Sequence, residues 1–181
     1  MMDKKTLRKE MAAKRAEVYG VVDTRPALVH LRRALKGAVG PISFYWPMRS
    51  EIDPRPVMEE VARRETVCLP VTVAFSPLTF RRWSPGDEME LDGFGVGIPV
   101  REEVCEPRTL VVPLLAFDAS GHRLGYGAGH YDRTLEKLRK LHAVTAIGFA
   151  YSAQRCRKLP TERTDQPLDM IVTEQCTLIP G

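Results

Sequence analysis

A continuous apolar run, followed by closely spaced glycines and a helical pattern, constrains the fold of this chain more than any other feature. The run Leu110–Phe117 is apolar throughout, which is typical of a strand buried on both faces. Glycines then alternate at Gly125, Gly127 and Gly129, and the spacing of apolar residues over Thr134–Leu141 predicts a helix. This order of strand, glycine-rich turn and helix favours an α/β protein with a ligand near the turn.

The glycine segment predicts a phosphate-binding loop. Glycines adopt positive φ and let backbone N–H groups approach a ligand closely, and the N-terminus of a following helix favours anions. The segment matches neither the G-x-x-x-x-G-K-[ST] loop nor the G-x-G-x-x-G fingerprint. Taken alone, it is therefore equally compatible with an ordinary glycine-rich turn between a strand and a helix.

Other segments extend the alternation of helices and short strands. Residues 84–97 are rich in Gly, Asp, Glu and Pro, which indicates an ordered loop or a hairpin. The alternation predicts an α/β fold with a mainly parallel sheet, in one domain that spans residues 1–181. The apolar periodicity predicts helices at 3–18, 26–36 and 55–64, strands at 42–46, 67–73, 78–83 and 143–150, and an edge strand at 171–173.

Composition excludes several classes of protein. The hydrophobic share of 44% is that of a soluble globular protein. No apolar run approaches the roughly 18 residues of a membrane span, and the polar N-terminus lacks the apolar core of a secretory signal. The four cysteines are scattered without C-x-x-C spacing, which favours reduced thiols over a disulfide framework or a zinc site. We therefore expect a cytoplasmic protein.

The N-terminal segment is strongly basic. Up to Lys36 the chain holds ten Lys and Arg against four Asp and Glu. In the first predicted helix, Leu7 and Met11 mark an apolar face, with Arg8 and Arg15 among the basic residues around it. Such a segment suits an anionic ligand such as a nucleotide or a nucleic acid, or is simply a solvated helix face.

Five separated motifs carry more information than the glycines alone. They are Lys4-x-x-x-Arg8, residues 44–53 (FYWPMRSEID), residues 80–86 with 94–99, residues 114–133 (LLAFDASGHRLGYGAGHYDR), and residues 150–154 with 159–174. In this order they resemble the motifs of the 5-formyltetrahydrofolate cyclo-ligases, also called methenyltetrahydrofolate synthetases. The resemblance covers nearly the whole chain.

The resemblance implies a fold, a reaction and a set of partners. The fold is a three-layer α/β/α sandwich, and the reaction converts ATP and 5-formyltetrahydrofolate to 5,10-methenyltetrahydrofolate, ADP and phosphate, with Mg²⁺ required. Such a site needs cations for the γ-phosphoryl group, carboxylates for Mg²⁺ and a slot for the pterin. The expected partners are therefore small-molecule substrates, without nucleic acid or membrane, and the expected state is a monomer.

The resemblance also implies a role for individual residues. ATP binding is implied for Lys4, Arg8, Arg123, Leu124, Gly125, Tyr126, Gly127, Ala128, Gly129, His130 and Tyr131. Folate binding is implied for Arg8, Trp46, Met48, Glu51 and Tyr131. Mg²⁺ is expected at Asp132 and Asp165, and Trp83 is expected to border the nucleotide or the folate tail.

The chemistry of these residues supports the roles and leaves ordinary alternatives open. Lys4 and Arg8 lie four residues apart on one helical face, so they either reach one anion together or form a solvated pair. Glu51 offers an acceptor to the amino-pyrimidine edge of a pterin, and Asp132 offers a hard oxygen to Mg²⁺, yet either is also a common helix N-cap. An aromatic residue or methionine at a strand end, such as Trp46, is often part of the core.

Three positions depart from the family pattern. Ala128 stands where Gly is common, and it restricts φ in the loop. His130 stands where Tyr is common, and its ring has a charge that depends on pH. Thr164 stands where His is often found, beside Asp165. These departures affect the fine details of binding and leave the reaction class unchanged.

Two other functions remain open from the residues alone. The chain is compatible with a non-catalytic regulator that binds folate or a nucleotide on the same fold. It is also compatible with an RNA-binding module that uses the basic N-terminal helix. The sequence holds no RNP-like aromatic motif, KH-type loop or long run of Lys and Arg, which argues against RNA.

Overall fold

The structure, a computed structural model, describes residues 3–181; the first two residues of the predicted domain 1–181 lie outside the described range. The helices are α1 (Lys4–Val18), α2 (Arg25–Ala34), α3 (Arg55–Val61) and α4 (His130–Leu141), with a 3₁₀ turn at Ser152–Gln154. The strands are β1 (Ile42–Ser43), β2 (Val67–Val71), β3 (Thr79–Trp83), β4 (Met89–Leu91), β5 (Gly97–Pro99), β6 (Thr109–Val112), β7 (Ala116–Phe117), β8 (Arg123–Leu124), β9 (Thr145–Phe149), β10 (Met170–Val172) and β11 (Thr177–Leu178).

A seven-stranded sheet with the order β11-β10-β9-β6-β1-β2-β3 forms the centre of the molecule. Its five inner strands run parallel, and the two edge strands, β11 and β3, run antiparallel to their neighbours. Helices α2 and α3 cover one face of the sheet and α4 covers the other. The predicted three-layer α/β/α fold with a mainly parallel sheet is therefore confirmed.

Strand β6 shows why the apolar run is continuous. Val111 packs into the cluster under α2 and α3, whereas Leu110 and Val112 pack on the opposite face with Leu135 and Leu138 of α4. Successive side chains of a strand point to opposite faces, so a strand covered on both sides is apolar at every position. The core is thus divided into two layers by the sheet.

The run Leu110–Phe117 is one strand in the prediction and two strands in the structure. It breaks at Pro113, which has no N–H to donate to a neighbouring strand. Beyond the break, Ala116 and Phe117 pair with Arg123 and Leu124 in a separate antiparallel ribbon, β7–β8. This ribbon leads directly into the glycine segment and presents it at the carboxyl end of the sheet.

Helix α4 begins at His130, four residues before the predicted start at Thr134. Its N-cap is Gly129, which has a φ of +67° in the left-handed region that glycine favours. His130, Tyr131 and Asp132 therefore lie in the first helical turn. This placement excludes the N-cap alternative for Asp132.

Three smaller differences concern short strands. Of the predicted strand 42–46, Ile42 and Ser43 form β1, and the backbone N–H of Phe44 adds one hydrogen bond to Cys68 of β2. The predicted edge strand at 171–173 is covered by β11, which the sequence analysis missed. Residues 84–97 contain a hairpin, as one of the two predicted possibilities, with β4 paired to β5.

Helix α1 packs against the β7–β8 ribbon, which brings its basic residues to the glycine segment. Met11 lies in a buried cluster with Leu115, Ala116 and Leu124. The helix starts at a side-chain cap, in which Asp3 accepts hydrogen bonds from the backbone N–H groups of Lys5 and Thr6. Among residues 3–181, none of the helices has the length and apolar character that a membrane crossing requires.

Candidate active site

A cavity of about 620 Å³ lies at the carboxyl end of the parallel strands. Ligands in α/β proteins commonly bind at this edge, because the loops after the strands converge there. Apart from Trp83, the structure brings the predicted site residues to the wall of this one cavity, which makes a shared binding site geometrically possible. They are Lys4, Arg8, Trp46, Met48, Glu51, Arg123, Leu124, Gly125, Tyr126, Gly127, Ala128, Gly129, His130, Tyr131, Asp132 and Asp165.

The glycine segment forms an anion cradle at the N-terminus of α4. Gly127 and Gly129 have positive φ values of +108° and +67°, whereas Gly125 does not adopt positive φ. In the described part of the chain, no acceptor takes up the backbone N–H groups of Gly127, Ala128 or Gly129. Free N–H groups next to a helix N-terminus are suited to phosphate oxygens.

The departure at Ala128 does not strain this cradle. Arg49 and Phe75 are the non-glycine residues with positive φ among residues 3–181, and Ala128 is not one of them. Its backbone therefore lies in a region that any residue adopts. The alanine replaces a family glycine without a conformational cost.

Two cations of α1 lie beside the cradle. The Nε of Arg8 donates to the carbonyl oxygen of Gly125 at 2.9 Å, and the guanidinium lies against Gly127, where an added Cβ would be 3.1 Å from Cζ. The Nζ of Lys4 lies 2.9 Å from an oxygen of Glu162 and 3.0 Å from Oδ2 of Asp165. Lys4 and Arg8, the predicted pair, are therefore not simply solvated.

The ammonium of Lys4 is held in its charged form. Partial burial lowers its pKa, but hydrogen bonds to Glu162 and Asp165 outweigh this effect and leave the pKa raised. The cation at this end of the cavity is therefore permanent at neutral pH.

The two predicted Mg²⁺ carboxylates are already engaged by basic groups. Oδ1 of Asp132 accepts from Nη2 of Arg123 at 2.8 Å and from the backbone N–H of Gln166 at 2.9 Å. Asp165 accepts from Lys4 and from the backbone N–H of Glu162. Oδ2 of Asp132 has no hydrogen-bond partner within residues 3–181, so this oxygen is available to a ligand.

The donor set fits a magnesium ion that arrives with its nucleotide. Among residues 3–181 there is no group of three or more His, Cys, Asp or Glu arranged to hold a metal. Mg²⁺ usually keeps several waters and takes one or two carboxylates together with phosphate oxygens. Asp132 and Asp165 on one cavity wall meet that requirement.

Asp169, four residues beyond Asp165, has a structural role. Its Oδ2 accepts from Arg139 at 3.0 Å and from the backbone N–H of Ala146 at 2.7 Å. Asp169 therefore forms a surface salt bridge with Arg139 and a hydrogen bond with the backbone of β9.

Glu51 is a buried carboxylate that also lines the cavity. Its side chain is 5% exposed, and its Oε2 accepts from the backbone N–H of Met48 at 2.9 Å. Oε1 accepts from the hydroxyl of Tyr126 at 3.1 Å. Pro54 is the N-cap of α3, so the N-cap alternative for Glu51 is wrong. Burial raises the pKa of Glu51 above its ordinary value.

The raised pKa of Glu51 leads to a prediction about stability. A carboxyl group that binds its proton more tightly in the folded state makes folding less favourable as pH rises through that pKa. Replacement Glu51→Gln removes this dependence. We expect the free energy of unfolding of the variant, relative to wild type, to increase as pH rises from about 4 to 7. Urea denaturation across this range measures the difference, and a difference that does not change with pH would contradict the prediction.

Trp46 lines the cavity and is held from three sides. Its ring centre lies 6.5 Å from that of Trp83, and the Cζ of Arg55 lies 5.1 Å from the Trp46 ring. The backbone of Gly97 lies against the indole, since an added Cβ would be 2.7 Å from Cδ1. Trp83 itself is buried behind Trp46 and does not line the cavity, so its expected contact with a ligand is wrong.

Tyr131 has an unsatisfied hydroxyl. The oxygen is inaccessible to solvent and has no hydrogen-bond partner within residues 3–181. Buried hydroxyl groups are normally paired, so this one lacks the partner that a purely structural tyrosine would have. Burial raises its pKa far above the ordinary value for tyrosine, which keeps the hydroxyl protonated.

Sequence reasoning missed the role of Arg15. The side chain is 2% exposed and reaches the folded interior beside Glu51 and Tyr126. Its position carries a signal: Arg15 follows Leu7 and Met11 at intervals of four residues and so falls on the apolar stripe of α1. An arginine on such a stripe indicates a buried partner rather than solvent.

Comparison with known proteins shows the family of this chain. The model of the 5-formyltetrahydrofolate cyclo-ligase family matches residues 1–174. The 5-formyltetrahydrofolate cyclo-ligase of Escherichia coli K12 is 34% identical over 140 residues, which cover 73% of this chain and 76% of that protein. The enzyme of the same name from Haemophilus influenzae is 34% identical, with 72% of this chain and 74% of that protein covered.

Solved structures show the same fold. The 5,10-methenyltetrahydrofolate synthetase of Aquifex aeolicus superposes with a TM-score of 0.78 at 29% identity, covering 98% of this chain and 93% of that one. A synthetase from Mycoplasma pneumoniae superposes with a TM-score of 0.67 at 23% identity, which supports the fold alone. The family model matches almost all residues of this chain, and its relatives are named as enzymes. This chain is an enzyme that belongs to the 5-formyltetrahydrofolate cyclo-ligase family.

Proposed function

We propose that this enzyme uses ATP and Mg²⁺ to convert 5-formyltetrahydrofolate to 5,10-methenyltetrahydrofolate, with release of ADP and phosphate. The observation that carries the proposal is the proximity of two unlike binding regions in one cavity. Tyr126 bonds the buried carboxylate Glu51, while the next residue, Gly127, lies in the anion cradle against Arg8. A terminal phosphate in the cradle would therefore lie close to a pterin that is held by Glu51.

The chemistry of the reaction makes use of both regions. The formyl oxygen attacks the γ-phosphorus and ADP leaves, which turns a poor leaving group into a good one. Nitrogen 10 of the folate then attacks the activated carbon and loses its proton. Phosphate departs with the former formyl oxygen and takes up that proton as hydrogen phosphate. Arg8, Lys4 and the free N–H groups of the cradle are placed to stabilise the negative charge that develops on the transferred phosphoryl group.

The remaining residues orient the substrates. Glu51 is suited to accept hydrogen bonds from the amino-pyrimidine edge of the pterin, with Trp46 and Met48 as walls of the slot. The hydroxyl of Tyr131 would find its missing partner in a bound substrate. Mg²⁺ would be held by Asp132 and Asp165 together with phosphate oxygens, and when bound it supplies neutralisation of phosphate charge.

A spectroscopic assay with purified protein tests the proposal. The near-ultraviolet absorbance of methenyltetrahydrofolate should rise when 5-formyltetrahydrofolate, ATP and Mg²⁺ are all present. Omission of ATP, or addition of a chelator, should abolish the rise. Binding of both substrates without any product would contradict the proposal and would favour a regulator on the same fold.

A further inference from the structure

Arg15 is a buried cation that the proposed chemistry does not yet use. Full burial of arginine is rare and requires partners. Its Nη2 donates to the hydroxyl of Tyr126 at 2.7 Å, its Nε to Oγ of Ser50 at 3.0 Å, and its Nη1 to the carbonyl of Leu114 at 3.4 Å. Nη1 also lies 3.9 Å from Oε1 of Glu51. Arg15 thus reaches the carboxylate both directly and through Tyr126.

The direction of these hydrogen bonds is determined by the groups themselves. A guanidinium only donates, so the hydroxyl oxygen of Tyr126 accepts from Arg15. The hydroxyl proton is then free to go to Oε1 of Glu51, which lies 3.1 Å away. The two hydrogen bonds therefore run in one direction, from Arg15 to Tyr126 and from Tyr126 to Glu51. The positive charge of Arg15 strengthens both of them.

Two guanidinium groups also hold the ring of Tyr126 in place. The Cζ of Arg15 lies 5.6 Å from the ring centre and that of Arg49 lies 5.9 Å from it, both within the range of cation–π contacts. Tyr126 is 46% exposed, so these contacts and the hydroxyl bonds hold a side chain that would otherwise move. With Oε2 held by the N–H of Met48, both oxygens of Glu51 have fixed positions.

We propose that Arg15 is a positioning residue for folate recognition, which acts through Tyr126 to hold Glu51 aimed at the donor groups of the pterin. The inference rests on the proposed function, because it assumes that Glu51 binds the pterin. Arg15 touches no substrate itself. By positioning Glu51, Arg15 makes that carboxylate selective for a ligand that carries the matching hydrogen-bond donors.

A merely structural role would predict something different. The bonds of Arg15 to Ser50 and Leu114 also tie α1 to the rest of the molecule. If this tie were its only purpose, loss of Arg15 would lower stability and leave the selectivity of folate binding unchanged. The test therefore compares two ligands rather than two rates.

The test measures binding in the absence of ATP, by tryptophan fluorescence. The ligands are 5-formyltetrahydrofolate and the same compound without the 2-amino group of the pterin. Wild type should prefer the complete ligand by about 10- to 100-fold, the range for one hydrogen bond to a charged group. We expect this preference to fall to about threefold or less in Arg15→Gln and to an intermediate value in Tyr126→Phe. The KM for ATP of Arg15→Gln should stay within about twofold of wild type.

Lys14→Gln provides the matched control. It removes one positive charge from the same helix at an exposed position, and it should retain the wild-type preference. Tyr126→Phe keeps Arg15 and the aromatic ring, so it tests the inference even if Arg15→Gln fails to fold.

The outcomes separate the inference from the function on which it rests. Folded Arg15→Gln and Tyr126→Phe that both keep the wild-type preference would overturn the role of Arg15, while turnover by wild type would leave the proposed function intact. Absence of both 5-formyltetrahydrofolate binding and turnover in wild type would overturn both.

Discussion

Replacement of Arg8 by alanine is expected to lower kcat/KM for ATP by about 10²- to 10³-fold, which is the usual cost of removing one donor that stabilises developing charge. Arg8 is the guanidinium nearest the cradle, with Nε on the carbonyl of Gly125 and the planar group against Gly127. Initial rates over a range of ATP concentrations, at saturating 5-formyltetrahydrofolate, measure the effect.

Stability and a neighbouring lysine provide the controls for Arg8→Ala. The side chain makes one hydrogen bond that contributes about 1 kcal/mol or less, so the variant should remain folded at assay temperature. Lys9→Ala removes a positive charge from the next, exposed position of α1 and should leave the rates near those of wild type. Equal rates for wild type and Arg8→Ala would exclude Arg8 from phosphate binding.

Gly127→Ala is expected to impair ATP use through the backbone rather than through a lost functional group. Gly127 has a φ of +108°, and an added Cβ would lie 3.1 Å from Cζ of Arg8. The alanine must therefore strain the loop, displace the arginine or both. We expect a loss of about 1–2 kcal/mol in unfolding free energy. Because a displacement of about 1 Å costs about 10²-fold in rate, kcat/KM for ATP should fall by about 10- to 100-fold.

Gly20→Ala separates strain from function. Gly20 also has positive φ, at +75°, but an added Cβ there meets nothing within 4 Å, and the residue does not line the cavity. This variant should lose a similar amount of stability and keep wild-type kinetics. If Gly127→Ala behaved in the same way, the turn would have only a structural purpose.

The sequence predicted the layers of the fold because its apolar patterns are long and regular. Leu110–Val112 and residues 146–149 are apolar on both faces of the sheet, and α4 has a clear apolar stripe. Local exceptions were not predicted. Pro113 ends β6 inside an apolar run, and Gly129 starts α4 early by adopting the left-handed conformation. The short strands β8 and β11 have too few residues to show a period.

The candidate site was predictable to the extent that its residues lie in motifs. Glu51, Arg8 and Asp132 come from separate motifs, and the structure places all three on one cavity wall. The partners of these residues were not predictable, because they are distant in the sequence: Tyr126 for Glu51 and Gln166 for Asp132. The roles of the individual residues, the monomeric state, the cytoplasmic location and the absence of nucleic acid partners stay predictions.

The pair between Lys4 and Asp165 has a consequence for how the protein matures. These residues are 161 positions apart, yet their side chains meet at the wall of the cavity. While the segment around position 165 is still inside the ribosome, the folded part of a nascent chain contains Lys4 but lacks its partner Asp165. Under the proposed function, nucleotide would then bind late in biosynthesis and would stabilise only finished molecules by mass action.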